Sequence, residues 1–588
     1  MRYLIFSILL TTALPCFSEI AIEITEGNDA TSLIAPVNGT NYEVQQTLTP
    51  LTFTNSTAIQ QTAPGLKSPY IGAFTGNQVD QTINGIRMNN SLFRSGPNQY
   101  YSWIPDSFTK SVGVSDGGNI GGTINREIGA DSSHVGGTFD SALGWVETAS
   151  YKTNKFGIGF SGTDYGNVAT ADGTVPHSSY NQKAAIGEYK WNDNNRSVFV
   201  FSNSGDLDRT DKWNGGYRLT GLQKPVVYTW LDQSYYNFNH TMNYDKFNIT
   251  TGYQKFNEEI LDGTKFVNTD LNQYTINGDY FLTKDLSVYS ANTVEDITYD
   301  NGVLSSATNK NPQVSNDLYT TTKQGFRWKR NGLINTTISG GAKEVQATDI
   351  LSFVDPEGSV IFDHNGFFTS FDSSVNAPTY SNLKQSQTVG RGVSIANPNL
   401  TEERANTFKI GYARNGLYLD VYRKLLDDVI ITKTVAKNTY QPVNFGSATV
   451  NGGTIGYENI SLFSTPFGIN TRINITDGAI SKAAGGYEPI TKVSPVTGYI
   501  KVNYNKVWSE FNYQAPDHNM SYADLDDVRT FQYAKGYRLV NIGYTDKIFK
   551  QVEYTVGIHN LLNNNGRILG SSVDVPERSA IVKVRYNF

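Results

Sequence analysis

The sequence predicts an all-β membrane protein whose main part is an antiparallel transmembrane β-barrel of about 22 strands. Three observations lead to this prediction. The composition is aromatic, glycine-rich and poor in charge, long tracts alternate apolar with polar residues, and the last alternating segment ends in phenylalanine. The composition bounds the class of protein, the alternation indicates the strands, and the last segment indicates which surroundings they face.

The composition favours β structure over helix. Of the 588 residues, 12% are aromatic and only 17% are charged, and the chain contains 54 Gly and 36 Tyr. A helical cytosolic enzyme would be richer in Ala, Glu, Lys and Leu. The net charge of -6 supplies no basic surface for nucleic acid, so we expect no nucleic-acid partner.

The first 18 residues have the layout of a secretory signal peptide. Met1 and Arg2 give a short cationic start, and the apolar stretch that follows is too short to span a membrane. We expect cleavage after Ser18; lipid attachment at Cys16 is the alternative, which the neighbouring Pro15 disfavours. Cleavage removes the only cysteine, so the mature chain can form neither a disulfide nor a thiolate metal site. No later apolar run reaches the roughly 18 residues of a helical span, so a membrane crossing requires a barrel.

From about residue 131 the sequence consists of paired alternating segments joined by polar turns. Asn415-Gly416, between residues 408–412 and 417–422, is the strongest hairpin signal because Asn-Gly readily adopts the positive dihedral angles of a two-residue turn. Longer polar stretches between hairpins are expected to be loops: 163–183, 203–223, 297–322 and 349–404. Short turns at one end and long loops at the other are typical of an outer-membrane barrel.

The last segment distinguishes a membrane barrel from a soluble β-solenoid or sandwich with the same alternation. It has an apolar and a polar face, formed by Ala580, Val582, Val584, Tyr586 and Phe588 on one side and by Lys583, Arg585 and Asn587 on the other. Such a strand suits a barrel wall with lipid outside and a wet lumen inside. An ordinary edge strand would leave Phe588 in water.

Residues 63 to 128 do not alternate as barrel strands do, and here the sequence resembles a known family. Four motifs carry the resemblance: Ala63-Pro64-Gly65, residues 77–89, Trp103-Ile104-Pro105 and residues 120–125. In order and spacing they resemble the plug domain of TonB-dependent outer-membrane receptors. Residues 397–403, 559–563 and 576–578 resemble the family's mid-barrel and closing motifs. Two departures are that residues 71–74 lack the usual Arg-Gly pair and that residues 115–118 shorten the stretch before the final plug strand.

The resemblance implies a division of the chain into four parts. These are a signal peptide at 1–18, a TonB-box segment at 19–34, a plug domain at 35–130 inside the lumen, and a transmembrane barrel at 131–588 in the bacterial outer membrane. The implied function is TonB-dependent active transport of a scarce metal chelate, with a ferric siderophore as the first expectation. Cobalamin or another metal chelate is the alternative within the family, and a passive outer-membrane channel is the alternative outside it. The implied partners are the periplasmic TonB energy-coupling protein, the chelate and outer-membrane lipid.

The segment after the expected cleavage point is an alternating, β-prone stretch. It consists of Glu19, Ile20, Ala21, Ile22, Glu23, Ile24 and Thr25. Such a strand can add to the exposed sheet edge of a partner through main-chain hydrogen bonds, and it resembles the TonB box. A frayed terminus is the alternative interpretation.

The resemblance also points to ligand-binding candidates. Residues 89–102 would follow a strand over residues 83–88 and form a plug loop that faces the outside. Its aromatic and polar side chains could bind an organic chelate, which needs flat apolar contact and a few polar groups: Phe93, Arg94, Gln99, Tyr100 and Tyr101. The alternative is that these side chains pack against the barrel wall.

The sequence predicts no resident metal, no cofactor and no catalytic site. The six histidines are scattered without metal-ligand spacing, and residues 379–396, where the family's haem receptors place a histidine, contain none. Asp206, Asp208 and Asp211 could hold calcium, but an acidic surface loop is the simpler interpretation. No catalytic motif is present, so we do not expect an enzyme.

Overall fold

The computed structural model describes residues 57–63, 66–92, 100–115, 118–130, 132–175, 178–205, 230–262, 265–304, 309–348, 350–384, 387–389, 392–436, 439–459, 466–481, 486–490, 493–519, 521, 535–568, 571 and 573–588. These residues form 36 strands, one short helix α1 (Tyr380–Lys384) and three 3-10 turns at Gly76–Gln78, Tyr100–Trp103 and Asp106–Phe108. The predicted signal peptide and TonB-box segment lie outside the described residues. Within the described ranges, no helix has the length and apolar character needed to span a membrane.

Seven strands precede the barrel: β1 (Thr57–Ala63), β2 (Leu66–Ile71), β3 (Phe74–Thr75), β4 (Asp80–Ile83), β5 (Ile86–Arg87), β6 (Thr109–Ser115) and β7 (Thr123–Ile128). The barrel wall consists of β8 (His134–Asp140), β9 (Gly144–Lys152), β10 (Phe156–Tyr165), β13 (Tyr180–Asn192), β14 (Asn195–Ser204), β15 (Trp230–Tyr244), β16 (Phe247–Asp262), β17 (Lys265–Phe281), β18 (Leu286–Leu304), β19 (Asn309–Arg330), β20 (Asn335–Ala347), β21 (Leu351–His364), β22 (Phe367–Asn376), β25 (Glu403–Arg414), β26 (Leu417–Asp427), β29 (Ala448–Asn459), β30 (Phe467–Ser481), β32 (Val496–Tyr504), β33 (Val507–Gln514), β34 (Tyr537–Ile548), β35 (Val552–His559) and β36 (Ser579–Asn587). The remaining strands lie in connections between wall strands: β11 (Ala169–Thr170), β12 (Gly173–Thr174), β23 (Gln387–Val389), β24 (Gly392–Ser394), β27 (Ile430–Ala436), β28 (Thr439–Asn444) and β31 (Tyr487–Pro489).

The wall is a closed antiparallel barrel of 22 strands, as the sequence predicts. Each wall strand pairs with its neighbours in the sheet, and β36 pairs with β8 to close the ring, with Ile581 opposite Asp140. The short β31 extends the sheet by pairing with the end of β30. Closure leaves the wall without a free edge, so its backbone groups can bond within the sheet in an environment without water.

The connections differ between the two ends of the barrel. At one end, nine turns of two to four residues join described wall strands, including Asn415-Gly416, where φ is 52° and 80°. These positive angles confirm the predicted Asn-Gly hairpin. The opposite end carries the longer connections, including residues 377–402, 428–447 and 560–578. By the usual arrangement, the short turns are periplasmic and the long connections extracellular.

Two of the predicted loops are wrong, because the wall strands run further than the sequence indicates. Residues 297–322 lie mostly in β18 and β19, and the range 349–404 contains β21 and β22. The predicted loop 163–183 is also partly strand, since β10 ends at Tyr165 and β13 begins at Tyr180. A strand with one face toward a wet lumen tolerates polar residues, so polarity alone does not mark a loop in this class of fold.

The faces of the last strand match the prediction. Val582, Val584, Tyr586 and Phe588 are 43 to 60% exposed on the outside, whereas Lys583 is buried in the lumen. The strands β15 to β19 contain 15 to 22 residues. At roughly 3.3 Å per residue these strands are much longer than an apolar band of about 25 Å requires, so this side of the wall extends beyond the membrane on the extracellular side.

A four-stranded sheet, β5-β4-β7-β6, lies inside the barrel; β4 and β7 are parallel and the other pairs antiparallel. The predicted single strand over residues 83–88 is wrong. Asn84 and Gly85 have φ of 48° and 80° and form a tight turn, so β4 and β5 are a hairpin. Two apolar clusters join this sheet to the wall, one including Val79 and Ile124 with Val450 and the other including Met88 and Trp103 with Tyr235.

Candidate ligand face and plug contacts

Two of the predicted ligand-binding residues, Tyr100 and Tyr101, lie in the described part of the chain, in a turn at the extracellular side of the inner sheet. Phe93, Arg94 and Gln99 are outside the described residues, and Tyr100 begins the 3-10 turn Tyr100–Trp103. Tyr101 is buried, and the guanidinium of Arg126 lies 4.3 Å from its ring centre. Burial raises the pKa of the Tyr101 phenol to about 12, so it stays neutral. In this conformation Tyr101 packs within the plug; its assignment to a ligand site stays a prediction.

Asn89 fixes the start of residues 89–92, the apical segment of the plug. Its side chain is completely buried, and its Nδ2 donates to the carbonyl of Val79 at 2.8 Å. Its Oδ1 accepts from the backbone N–H of Gln81 at 2.5 Å. The side-chain amide of Asn89 thereby makes the two hydrogen bonds to the backbone beside β4 that a neighbouring strand would make. It does so beyond the point where β5 ends. This orients residues 89–92 toward the extracellular side.

The barrel wall holds the same segment by its backbone. Gln254 Nε2 donates to the carbonyl of Arg87 at 2.6 Å, and Gln273 Nε2 donates to that of Asn89 at 2.9 Å. Glu295 accepts from the backbone N–H of Ser91 at 2.7 Å. These contacts come from three adjacent strands, β16, β17 and β18. Each successive strand contacts a residue further along the plug segment. Each contact is a hydrogen bond, so the plug segment can separate from the wall and bind it again without any covalent change.

A charged cluster surrounds the start of β4, at the end of the β4–β5 hairpin that lies away from its turn. Arg87 Nε lies 3.1 Å from Asp80 Oδ1, which also accepts from Asn119 Nδ2 at 3.1 Å. Burial raises the pKa of Asp80, but the charges of Arg87, Lys323 and Lys343 outweigh it and hold that pKa below its usual value. Asp80 therefore carries a negative charge that two barrel lysines help to balance.

A second ion cluster lies nearer the periplasmic end. Lys110 Nζ lies 2.8 Å from Glu188 Oε2, and Arg196 lies 3.0 Å from both Glu188 and Glu127. Burial and the charge of Arg196 lower the pKa of Lys110 to about 8, against the attraction of Glu188. Arg196 Nη2 also donates to the carbonyl of Ile128 at 2.7 Å. The wall strands β13 and β14 thus bind β6 and β7 through charge.

Aromatic side chains of the barrel wall pack against the 3-10 turn Tyr100–Trp103. The Trp103 ring lies 5.3 Å from Phe256 and 5.9 Å from Tyr235, centre to centre, and all three are buried. Gln182 Nε2 donates to the carbonyl of Ser102 at 2.7 Å. Contacts of this kind fix the turn firmly, since aromatic packing adds to the burial of large apolar surfaces.

An extracellular loop folds inward over the plug. Residues 377–402 connect β22 to β25 and contain α1, where the N–H of Ser381 donates to the carbonyl of Ser91 at 3.3 Å. Asp317 of β19 holds this helix, because it accepts from the Tyr380 hydroxyl and lies 2.6 Å from Lys384 Nζ. The loop therefore touches the apical segment while remaining tied to the wall.

Glu403 joins the plug, the wall and a second loop. Its carboxylate is buried and accepts from Gln78 Nε2 at 3.1 Å, from Asn376 Nδ2 at 2.6 Å and from the N–H of Ile430 at 2.9 Å. Gln78 belongs to the plug, and Ile430 begins the loop strand β27. One side chain thus connects the inner sheet to the extracellular surface.

Sequence reasoning missed the wall residues that grip the plug. They are the amides and charges Gln254, Gln273, Glu295, Lys323, Glu188 and Arg196. One feature of the sequence could have indicated them. Each is a polar residue in an alternating strand, and the polar face of such a strand must face the lumen. Asp206, Asp208 and Asp211 lie outside the described residues. Within the described ranges, no group of three or more His, Cys, Asp or Glu side chains could hold a metal ion.

A closed 22-stranded barrel with an apolar outer surface and a sheet inside its lumen defines a plugged outer-membrane barrel. The fold is that of the TonB-dependent outer-membrane receptors, and the chain is an outer-membrane protein. The solved structure of the copper transporter OprC is similar, with a TM-score of 0.71 and 12% identity over 91% of this chain and 94% of that chain.

Two iron-related structures are similar over nearly their full lengths. The FrpB iron transporter from Neisseria meningitidis gives a TM-score of 0.69 with 13% identity, covering 94% of this chain and 97% of that chain. A variant of the ferric enterobactin receptor PfeA from Pseudomonas aeruginosa gives 0.65 with 13% identity and the same coverage. No family model and no curated protein matches the sequence. At these identities the likeness establishes the shared fold.

Proposed function

We propose that this protein is a TonB-dependent active transporter that carries a scarce metal chelate across the outer membrane, with a ferric siderophore as the first cargo to test. The observation that carries the proposal is the occupied lumen. The inner sheet and the segments beside it contact wall strands from β13 to β26 by hydrogen bonds and ion pairs, so a solute the size of a chelate can pass only when the plug moves. Movement against this many contacts needs an energy source.

The residues supplying that energy coupling are proposed to be Glu19 to Thr25, the alternating segment that follows the expected signal peptide. A strand of this kind can pair with a periplasmic TonB partner, and a pull on it would act on the plug that follows. The names of the similar structures support a metal-related cargo, since they include a copper transporter, an iron transporter and a ferric enterobactin receptor. Cobalamin or another chelate is the alternative cargo, and a passive channel is the alternative function.

The decisive experiment compares uptake with membrane insertion in a variant that lacks residues 19–25. The proposal expects uptake to fall to background while the amount of folded barrel in the outer membrane stays unchanged. A matched pair sharpens the result: Ile22→Pro removes a main-chain donor and should abolish uptake, whereas Ile22→Val should not. Uptake that survives both the deletion and the proline substitution would establish the passive channel instead.

The cargo is tested by the abundance of the protein in its native cells during separate starvation for iron, cobalamin, copper and nickel. A rise under iron limitation alone supports a ferric chelate. A response to another nutrient would overturn the siderophore assignment and leave the transport mechanism unaffected.

A further inference from the structure

The outer surface of the barrel carries a groove of about 430 Å³ between β21, β22, β25 and β26. Most of its outward-facing lining is apolar, namely Val360, Phe362, Phe371, Phe408, Ile410 and Val421, and the exposed Thr369 lies between Phe362 and Ile410. The rings of Phe371 and Phe408 lie 5.0 Å apart, centre to centre. Phe408 is 49% and Ile410 60% exposed, so the groove presents a mainly apolar surface to the membrane.

One cation, Arg423, stands at the extracellular end of this groove. It lies directly opposite Phe408 in the pairing of β25 with β26, and the next outward pair toward the periplasm is Ile410 with Val421. The outward residues of β26 below Arg423 are all apolar: Val421, Leu419 and Leu417. On its extracellular side come Leu425, which is 38% exposed, and then the charged Asp427, where β26 ends. Arg423 therefore lies near the extracellular rim of the lipid-facing band, within one outward position of the last apolar residue of β26.

Arg423 is exposed and has no hydrogen bond or ion pair with any residue that the structure describes. The pairing opposes it to Asn451 on β29, and Asn451 is in turn opposite the outward-facing Asp477 on β30. Two strand spacings, roughly 10 Å, separate Arg423 from that carboxylate. A guanidinium at the edge of hydrocarbon is costly without an anion, and the anions available at this height are lipid phosphates.

We propose that the groove is a binding site for a phosphorylated lipid of the outer leaflet. The Arg423 guanidinium donates to a phosphate, for which its planar fork is well suited, and an acyl chain lies along Phe408, Ile410 and Phe362. The order of the site, with the cation at the headgroup level and the apolar groove below it, matches the order of headgroup and chain in such a lipid. The site is independent of the transport function.

A second groove on the outer surface offers an internal comparison. A groove of similar volume lies between β14, β15 and β16 and is lined by Phe199, Tyr236, Phe238 and Tyr253, with Lys255 at its edge. Here the cation already has a partner, since Lys255 Nζ lies 2.8 Å from Asp270 Oδ2. This second groove therefore lacks the free charge that the first one has, and Lys255 is the matched control.

The test is native mass spectrometry of the purified full-length barrel in detergent, incubated with bis-phosphorylated lipid A or with the same lipid after removal of both phosphates. Wild-type protein should retain the phosphorylated lipid about tenfold better than the dephosphorylated one. Arg423→Gln should remove that preference, Arg423→Lys should keep part of it, and Lys255→Gln should leave it unchanged. Folding of every variant is checked by its heat-dependent shift in SDS gels.

Three results would overturn the proposal. Equal retention of the two lipids by wild type would show that the groove is an apolar surface that does not recognise phosphate. Unchanged preference in folded Arg423→Gln would place the phosphate elsewhere. An equal loss in Lys255→Gln would show a general effect of surface charge, because that groove lacks an unpaired cation.

Discussion

At the scale of single residues, the plug is held by side chains whose charge depends on their neighbours. Asp80 is the clearest case, since it combines Arg87, Asn119 and two barrel lysines around one carboxylate. Its pKa is lowered in the folded protein, so its stabilising contribution is fully present above the unfolded value near 3.8 and is lost as the pH falls through the lower folded pKa.

We therefore expect hydrogen exchange to show constant protection of the β4 amides from pH 7 to pH 5 and a loss of protection only as the pH falls below 3.8, after correction for the intrinsic rate. In Asp80→Asn, protection at pH 7 should be weaker by about tenfold, as for the loss of a charged hydrogen bond worth roughly 1.5 kcal/mol, and it should change less with pH. Asp193→Asn, at an exposed periplasmic turn, is the control. The same pH response in wild type and Asp80→Asn would contradict the assignment.

The residues that could be predicted from sequence are those whose signal is local. Phe588 and Lys583 follow from simple alternation, and Asn415 follows from turn chemistry. Glu403 and Gln78 could not be paired in this way, because 325 residues separate them and only the position of the plug inside the barrel brings them together. Asn89 carries no local signal either, since it acts as a substitute strand only after the β4–β5 hairpin has formed.

At the scale of elements, the described part of the loop between β22 and β25 is placed to respond to the ligand that is proposed to bind at the plug apex. It reaches Ser91 through Ser381 and is tied to β19 through Asp317. The expected mature chain has no cysteine, so a pair of introduced thiols has no competing partner. A Ser91→Cys and Ser381→Cys double variant should form a disulfide on oxidation.

If the loop must move for transport, the oxidised double variant should lose uptake and recover it after reduction, while either single variant behaves as wild type. Gel mobility after protease cleavage between the two positions reports the cross-link. Full uptake by the oxidised, cross-linked protein would show that this contact persists throughout transport. No cross-link at all would contradict the contact between α1 and the apical segment.

Element boundaries were predicted well only where the strand faces differ strongly. The hairpin at Asn415-Gly416 has apolar residues at alternate positions on both sides, and its turn is correct to the residue, although its strands run over Glu403–Arg414 and Leu417–Asp427 and are longer than the predicted 408–412 and 417–422. By contrast, the segment 297–322 is polar on both faces for much of its length, because β18 and β19 continue into water beyond the membrane. Alternation marks strands that separate lipid from lumen, and these strands leave the lipid before they end.

At the scale of the whole molecule, the barrel and the inner sheet are separate hydrogen-bonded units. The wall closes through β36 and β8, and none of its described strands pairs with β4 to β7. The contacts between the two units are side-chain bonds and packing, such as Gln273 to Asn89 and Ile86 against Gly252. Each unit can therefore keep its own backbone pairing when they separate, as the proposed transport through the lumen would require.

This separation predicts the behaviour of a variant that keeps the signal peptide but lacks residues 19–130. Its wall retains all 22 strands, so it should insert and show the heat-dependent gel shift of a folded barrel. In planar lipid bilayers it should form open pores with stable ion conductance, whereas the full chain should conduct little because the sheet fills its lumen. Arg423→Gln in the full chain is a suitable control, since it alters only the lipid-facing surface. A shortened chain that folds yet stays closed would mean that side chains of the wall or its loops block the lumen, and that the plug is not the gate.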